Sequence, residues 1–278
     1  MEEYTNGHQK AGPTEMSSDE ALRKMKTAGS ISLTPELFEK LYLQPQNKVK
    51  GDLRRTFANP TPIAIIGFLM CLGPLSCDLM GWRGAGGAGA ANSAVFFFFG
   101  GVLMIIGGVL EFFLGNTYPC AVFLNYGAFW MSYGGTLLPQ FNAYAPYAPA
   151  DATSPAAGLA TQGFNASFGF FILSLGIVTF FFLICSVRTN IVFVVIFFSL
   201  TMCVGFITGA YWQLAQGNAV LAEKLLVAGG ACSFVTTAGG WWLLLVQLLA
   251  AVDFPINLPV GDLSTVIKGA SDRKKLDV

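Results

Sequence analysis

Six long apolar runs, separated by short connections, constrain this chain more than any other feature of its sequence. A helix rises 1.5 Å per residue, so a run of about 20 apolar residues crosses a bilayer core of ~30 Å. The runs are Pro62–Met80, Ala94–Leu114, Cys120–Gln140, Phe164–Val187, Ile191–Trp212 and Leu225–Ala250. The sequence therefore predicts an all-α membrane protein with six transmembrane helices.

The runs do not show the alternation of apolar and polar residues that is typical of the strands of a membrane β-barrel. Stretches such as Val95–Gly101 and Ile191–Leu200 are apolar almost throughout. Lipid offers no partner for backbone N–H and C=O groups, and a helix satisfies those groups within one segment. Helices are therefore the expected form of all six runs.

The charged residues lie almost entirely outside these runs. They make up 12% of the chain, against roughly 25% in ordinary soluble domains. Nine of the 16 Lys and Arg residues precede Asn59, and the formal net charge is zero, which gives no indication of a nucleic-acid partner. Because basic residues collect on the cytoplasmic side of membrane spans, their distribution predicts that both termini are cytoplasmic.

The same pattern divides the chain into three parts. Residues 1–58 form a cytoplasmic N-terminal tail, residues 59–252 the transmembrane domain, and residues 253–278 a cytoplasmic C-terminal tail. The polar composition of the first part predicts that it is mostly disordered. Within it, Thr34–Leu43 has apolar residues at helical spacing, and both a helix on the membrane surface and a transient helix fit that pattern.

Two polar positions in or beside the runs are candidates for binding a substrate. Asn59 begins the segment Asn-Pro-Thr-Pro that opens the first run, which suits a helix start because Asn is a good cap and Pro tolerates the first turn. The alternative is that the partial positive charge of this helix end attracts a carboxylate. Glu111 lies near the end of the second run, where it either pairs with a polar group or faces a polar cavity, or instead reaches the interface.

The side chains needed for catalysis or metal binding do not occur together in the runs. The one histidine, His8, lies in the N-terminal tail, and the six cysteines lack the Cys-x-x-Cys spacing of a metal or redox site. Nucleotide-binding motifs, paired carboxylates and a nucleophile with a neighbouring base are also missing. We therefore predict a protein that is not an enzyme and that holds neither a cofactor nor a metal.

Four motifs resemble one known family. Residues 59–68 read Asn-Pro-Thr-Pro-Ile-Ala-Ile-Ile-Gly-Phe, which resembles the signature of the acetate uptake transporter family of fungi and bacteria, although Thr61 stands where that family usually has Ala. Three further stretches are similar to motifs of the same family and occur in the same order. They are Leu110–Thr117, Tyr126–Trp130 and Phe197–Thr201.

The resemblance implies six helices per subunit, a homohexamer in the plasma membrane and a pathway through each subunit. It implies uptake of acetate and related short monocarboxylates, often coupled to protons. It also implies a narrow apolar constriction, which by motif position consists of Phe68, Tyr126 and Leu200, and it suggests Glu111 as a packing or coupling residue. A small apolar ring blocks ions by excluding water, yet passes a compact solute when it opens.

Two other functions remain as alternatives at this point. The family has been linked to ammonia release, so an ammonium exporter is one of them. The polar tail of residues 1–58 leaves room for the other, a membrane sensor or signalling protein that retains the fold without transporting a solute.

Overall fold

The structure is a computed structural model that describes residues 57–263 and Val266. The interpretations of the N-terminal tail before Phe57, including the helical pattern in Thr34–Leu43, and of most of the C-terminal tail lie outside these described residues. Six long helices occur among the described residues. They are α1 (Thr61–Leu79), α2 (Gly87–Phe113), α3 (Thr117–Leu137), α4 (Gln162–Ser186), α5 (Ile191–Ala215) and α6 (Ala219–Ala251).

Helix α2 is not uniform along its length. It opens with a 3₁₀ turn at Gly87–Asn92 and one α-helical turn at Ser93–Val95, continues as a π-helix over Phe96–Leu103, and ends as an α-helix over Met104–Phe113. Short 3₁₀ turns also occupy the connections. They are Trp82–Gly84, Pro139–Phe141, Ala145–Tyr147 and Pro155–Ala160.

Five of the six helices are long and apolar enough to cross a membrane, namely α1, α2, α4, α5 and α6. Helix α3 has 21 residues, a sufficient length, but contains Asn125 and Ser132 together with several tyrosines. Its Trp130 and Tyr133 side chains are buried against other helices. Because α3 meets protein on much of its surface, it needs less apolar composition than a helix that faces lipid.

The course of α3 is fixed by hydrogen bonds at its two ends. Just before its first residue, Asn116 Nδ2 donates to Glu111 Oε2 near the end of α2 over 2.5 Å. Near its last residue, the Tyr133 hydroxyl donates to the Ala88 carbonyl at the start of α2, also over 2.5 Å. Helix α3 therefore runs antiparallel to α2 along nearly its whole length.

Polar side chains cap the starts of three helices, and two of these helices, α4 and α6, begin before the corresponding apolar run of the sequence. Thr161 Oγ1 accepts the Phe164 N–H over 3.4 Å, so α4 starts before the predicted Phe164, and Asn218 Oδ1 accepts the Leu221 N–H over 3.3 Å at the start of α6. Asn190 Oδ1 accepts the Phe193 N–H over 2.9 Å at the start of α5. Such caps satisfy N–H groups that have no partner inside a helix.

The helices pack in a sequence that encloses a common centre. Helix α1 contacts α2 and α6, α3 packs on α2, and α5 packs on both α4 and α6. Aromatic side chains join α3 to α4, with the ring centroids of Phe129 and Phe171 6.2 Å apart. The six helices thus form a closed ring.

Glycines set how closely some of these helices approach. A Cβ atom at Gly107 would lie 2.7 Å from the Cβ of Ala64, and one at Gly240 would lie 2.6 Å from Leu69 Cδ2. Because real Cβ atoms essentially never approach a non-bonded atom this closely, an alanine at either position would force its neighbour on α1 to shift. Gly205, part of a Gly-x-x-x-Gly pattern in α5, has no atom within 4 Å of a Cβ position and packs against nothing within the described chain.

The chain continues after α6 as an extended segment, residues 254–263, which we call the C-terminal strap. The Ile191 N–H donates to the Gly261 carbonyl over 2.8 Å, and the Leu263 N–H donates to the Thr189 carbonyl over 3.0 Å. Val260 is 2% exposed, and Trp242 Nε1 donates to the Pro259 carbonyl over 3.0 Å. The first part of the predicted C-terminal tail is therefore packed against the ends of the helices.

Candidate functional site

A small cavity of about 40 Å³ lies at the centre of the helix ring. Every side chain that lines it is aliphatic, aromatic or glycine, and no charged residue takes part. The lining residues are Ile65, Phe68, Met104, Val122, Phe123, Tyr126, Phe193, Ile196, Phe197, Leu200, Gly240 and Leu243. They come from α1, α2, α3, α5 and α6, so the cavity is shared by five of the six helices.

The three residues expected to form a constriction all line this one cavity. Phe68 lies on α1, Tyr126 on α3 and Leu200 on α5. The ring centroids of Phe68 and Tyr126 are 5.9 Å apart, and the Tyr126 and Leu200 side chains are each 4% exposed. The fold therefore brings three motifs that are far apart in the sequence to a single point.

The cavity is small in this structure. A water molecule needs at least about 10–15 Å³ of such space and occupies about 30 Å³ in the liquid. A space of about 40 Å³ therefore has room for only a few water molecules. Passage of a larger solute would require the surrounding side chains to move apart.

Further aromatic rings support Tyr126 from the side of α4. The Phe182 ring lies 6.1 Å from that of Tyr126 and 5.9 Å from that of Phe197, measured between centroids. Tyr118 lies 6.2 Å from Phe197, and its hydroxyl donates to the Phe182 carbonyl over 2.8 Å. The composition of α4 shows only that it is rich in phenylalanine, so the sequence did not indicate the role of Phe182.

The Tyr126 hydroxyl is hydrogen-bonded to Thr179 on α4. The two side-chain oxygens are 2.9 Å apart, and Thr179 Oγ1 also lies 2.8 Å from the Leu175 carbonyl, to which it donates. A threonine hydroxyl has one proton, so Tyr126 is the donor in the bond between the two side chains. Thr179, which sequence analysis missed, therefore accepts the hydrogen bond of the Tyr126 hydroxyl in this structure.

Glu111 is fully buried, with 0% of its side chain exposed. The Thr61 hydroxyl donates to one carboxylate oxygen, and Asn116 Nδ2 donates to the other over 2.5 Å. The interpretation that Glu111 reaches the membrane interface is therefore wrong, and the interpretation that it pairs with polar groups is confirmed. Its carboxylate connects the start of α1 to the junction of α2 and α3.

Asn59 is half-buried at the start of α1 and does not line the cavity. Its Oδ1 accepts the Thr61 N–H over 3.0 Å, and the Ile63 N–H donates to the Pro60 carbonyl over 3.1 Å. Proline has no N–H, so residues 60–63 leave no backbone donor for an anion. Asn59 and Glu111 meet through Thr61, seven residues or about 10 Å along the helix from Phe68.

The chain is similar to a known protein family and to several of its members. Residues 42–265 match the model of the GPR1/FUN34/yaaH family. The chain is 45% identical to "Protein alcS" of Aspergillus fumigatus over 235 residues, which cover 84% of this chain and 86% of that protein.

Two more distant relatives carry names that state a transported solute. The chain is 27% identical to "Acetate transporter protein patA" of Aspergillus clavatus, over 64% of this chain and 67% of that protein. It is 26% identical to "Ammonia transport outward protein 2" of Saccharomyces cerevisiae, over 66% of this chain and 65% of that protein.

The fold is also similar to a solved structure, that of the bacterial acetate channel SatP. The TM-score is 0.56 and the sequence identity 26%. The match covers 74% of this chain and 99% of the solved chain.

Proposed function

Because the chain belongs to the GPR1/FUN34/yaaH family, we propose that it carries acetate and related short monocarboxylates across a membrane. The observation that carries this proposal is the meeting of Phe68, Tyr126 and Leu200 around one cavity shared by five helices. The acetate transporter and the acetate channel among its relatives support the choice of solute. In this proposal the three side chains form the constriction of the pathway.

The chemistry of the lining favours the protonated acid over the carboxylate ion. Burial of an unpaired charge is far more costly than burial of a neutral polar group, and no lining residue carries a charge that would compensate a carboxylate. An acid that takes up a proton before the constriction avoids this cost. Uptake is therefore proton-linked, and an apolar constriction of this kind also prevents leakage of ions.

Ammonia is the second candidate solute, because one relative is an ammonia transport protein. Neutral ammonia is small and also compatible with an apolar constriction. The cavity lining alone does not separate the two solutes, so the experiment must compare them directly.

The subunit contains six membrane crossings in this proposal, with α3 as the third. Its antiparallel course along α2, between Glu111 at one end and Ala88 at the other, supports this count. Six crossings place both termini on one side, and the Lys and Arg residues of the tails make that side cytoplasmic. We place the protein in the plasma membrane as a homohexamer with one pathway in each subunit.

The test is uptake of labelled acetate into proteoliposomes that contain the purified protein, with and without an acidic exterior. Protein-free liposomes measure the acid that crosses the lipid itself, and labelled methylammonium measures transport of an ammonia analogue. We expect saturable acetate uptake above the lipid background, increased by the proton gradient. Acetate uptake equal to that of protein-free liposomes, together with methylammonium transport, would favour the ammonia function.

A further inference from the structure

One buried polar side chain of α6 makes no hydrogen bond to the residues that the structure describes. Gln247 on α6 is 3% exposed, and neither its amide nitrogen nor its amide oxygen has a hydrogen-bond partner among the residues that the structure describes. Each buried polar group left unpaired is costly to stability. The Gln247 amide therefore has both a donor and an acceptor available for a partner.

Gln247 lies on the same face of α6 as the residues that line the cavity. Successive helical residues are rotated by about 100°, so Gln247 points within about 20° of Gly240 and about 40° of Leu243, between their two directions. Both of these residues line the cavity. Gln247 is one turn beyond Leu243, about 6 Å further along the helix axis.

The packing of α6 on α1 shows which end of the cavity Gln247 flanks. A Cβ atom at Gly73 would lie 3.4 Å from Thr237 Cγ2, and one at Gly240 would lie 2.6 Å from Leu69 Cδ2, so the two helices are antiparallel. Two turns past Gly240, Gln247 is level with the first turn of α1. Because residues 60–63 of α1 offer no free backbone donor, Gln247 supplies an amide donor at a level where the α1 backbone supplies none.

We propose that Gln247 binds the transported acid on the side of the cavity nearest the start of α1; this inference rests on the proposed function. A protonated carboxylic acid has one donor, its O–H, and one good acceptor, its C=O. A primary amide has the complementary pair, an acceptor Oε1 and a donor Nε2. The acid O–H donates to Gln247 Oε1 while Gln247 Nε2 donates to the acid carbonyl, so that both unpaired amide atoms become satisfied at once.

Substitution of Gln247 by Leu separates a binding role from a structural one. Leucine has a similar volume and removes the two unpaired polar atoms, so Gln247→Leu should not lower the thermal unfolding temperature. The KM of this variant for acetate in proteoliposomes should rise about ten- to a hundredfold, because two hydrogen bonds to the acid are lost. Gln247→Glu, which retains the length but loses the amide donor, should raise the KM as well.

Thr236→Val on the same helix is the matched control. Thr236 is also fully buried, but its hydroxyl is paired with Ser199 Oγ over 2.7 Å and it does not line the cavity. This substitution should lower the unfolding temperature and leave the KM for acetate unchanged.

The effect of acetate on the unfolding temperature tests whether Gln247 binds acetate without relying on transport. Acetate raises the unfolding temperature of a protein that binds it in the folded state, and we expect this increase in the wild type and its loss in Gln247→Leu. Wild-type uptake with an unchanged KM in Gln247→Leu would overturn the role of Gln247 alone. An unfolding temperature lowered by Gln247→Leu at constant KM would also overturn it, and a wild type with neither uptake nor an acetate-induced shift would overturn both proposals.

Discussion

In the proposed pathway, the Tyr126 hydroxyl donates to Thr179 when no solute is present and to the solute during its passage. In this structure its proton is donated to Thr179, whose own proton goes to the Leu175 carbonyl. A carboxyl oxygen that enters the cavity competes with Thr179 for the Tyr126 proton. The Tyr126 hydroxyl thus exchanges a hydrogen bond to Thr179 for one to the solute. It is never left buried and unpaired, so neither arrangement carries that free-energy cost.

Substitutions of these two residues should change acetate affinity in opposite directions. Tyr126→Phe removes the donor, so the KM for acetate should rise roughly three- to tenfold, the value of one neutral hydrogen bond. Thr179→Val removes the competitor and should lower the KM, while the unpaired Tyr126 hydroxyl costs about 1–3 kcal/mol of stability. Concentration-dependent uptake and thermal unfolding measure the two effects. A KM changed in the same direction by both substitutions would contradict the exchange.

Glu111 distinguishes a positioning role from a proton-coupling role. Glu111→Ala removes the acceptors of Thr61 and Asn116, and each donor left unpaired costs about 1–3 kcal/mol, so the unfolding temperature should fall by several degrees. Glu111→Gln can accept from Asn116 through its oxygen and donate to Thr61 through its nitrogen, so it should retain both stability and proton-stimulated uptake. The ratio of acetate uptake with a proton gradient to acetate uptake without one measures the proton stimulation, and thermal unfolding measures the stability. Loss of that stimulation at an unchanged unfolding temperature would identify Glu111 as a coupling residue.

At the scale of helices, close approach of α1 and α2 depends on glycine. Gly107→Ala would place a methyl group 2.7 Å from Ala64 Cβ, and overpacking of this kind costs about 1–3 kcal/mol. Gly205→Ala meets no atom within 4 Å and should gain up to about 1 kcal/mol in helix propensity. Thermal unfolding of the purified subunit measures both, and equal destabilisation by the two substitutions would contradict the described packing.

Sequence patterns predicted the helices but not all of their bounds or surroundings. Apolar runs gave the positions of five membrane helices because lipid-facing segments must be apolar along most of their length. The run predicted as Cys120–Gln140 is a helix over Thr117–Leu137, whose contacts with protein allow Asn125 and the tyrosines. The C-terminal strap was missed because its pairing with Thr189 and Ile191 is non-local, and no periodicity within the strap reports it.

The site was predicted in part, for similar reasons. Phe68, Tyr126 and Leu200 were recognised from motifs, whereas composition alone treats them as ordinary apolar residues. Thr179 and Gln247 belong to no motif that we recognised, and their significance lies in hydrogen bonds made or not made in the fold. The only signal that the sequence offers for these two residues is that a polar side chain lies in an apolar run, and other polar residues of the runs share that property.

At the scale of the whole molecule, the proposed hexamer predicts a definite mass. The chain has a mass of 29.7 kDa, and native mass spectrometry of the purified protein should give six times that value. Many large apolar side chains on the outer helix faces are exposed in the single subunit, such as Phe198 and Phe234, and part of this surface would be covered by neighbouring subunits. A monomer or dimer as the largest species that withstands mild detergent would contradict the hexamer.

The central claim is that the cavity between Phe68, Tyr126 and Leu200 is the passage for the acid. The most direct test is the rate of butyrate uptake relative to acetate uptake in proteoliposomes that contain Leu200→Ala, with Leu245→Ala as control, since Leu245 is 47% exposed and lies away from the cavity. We predict that Leu200→Ala raises the ratio of butyrate to acetate uptake several-fold because it widens the proposed constriction, while Leu245→Ala leaves the ratio at the wild-type value. An unchanged ratio in Leu200→Ala, in protein that remains folded and transports acetate, would contradict the claim.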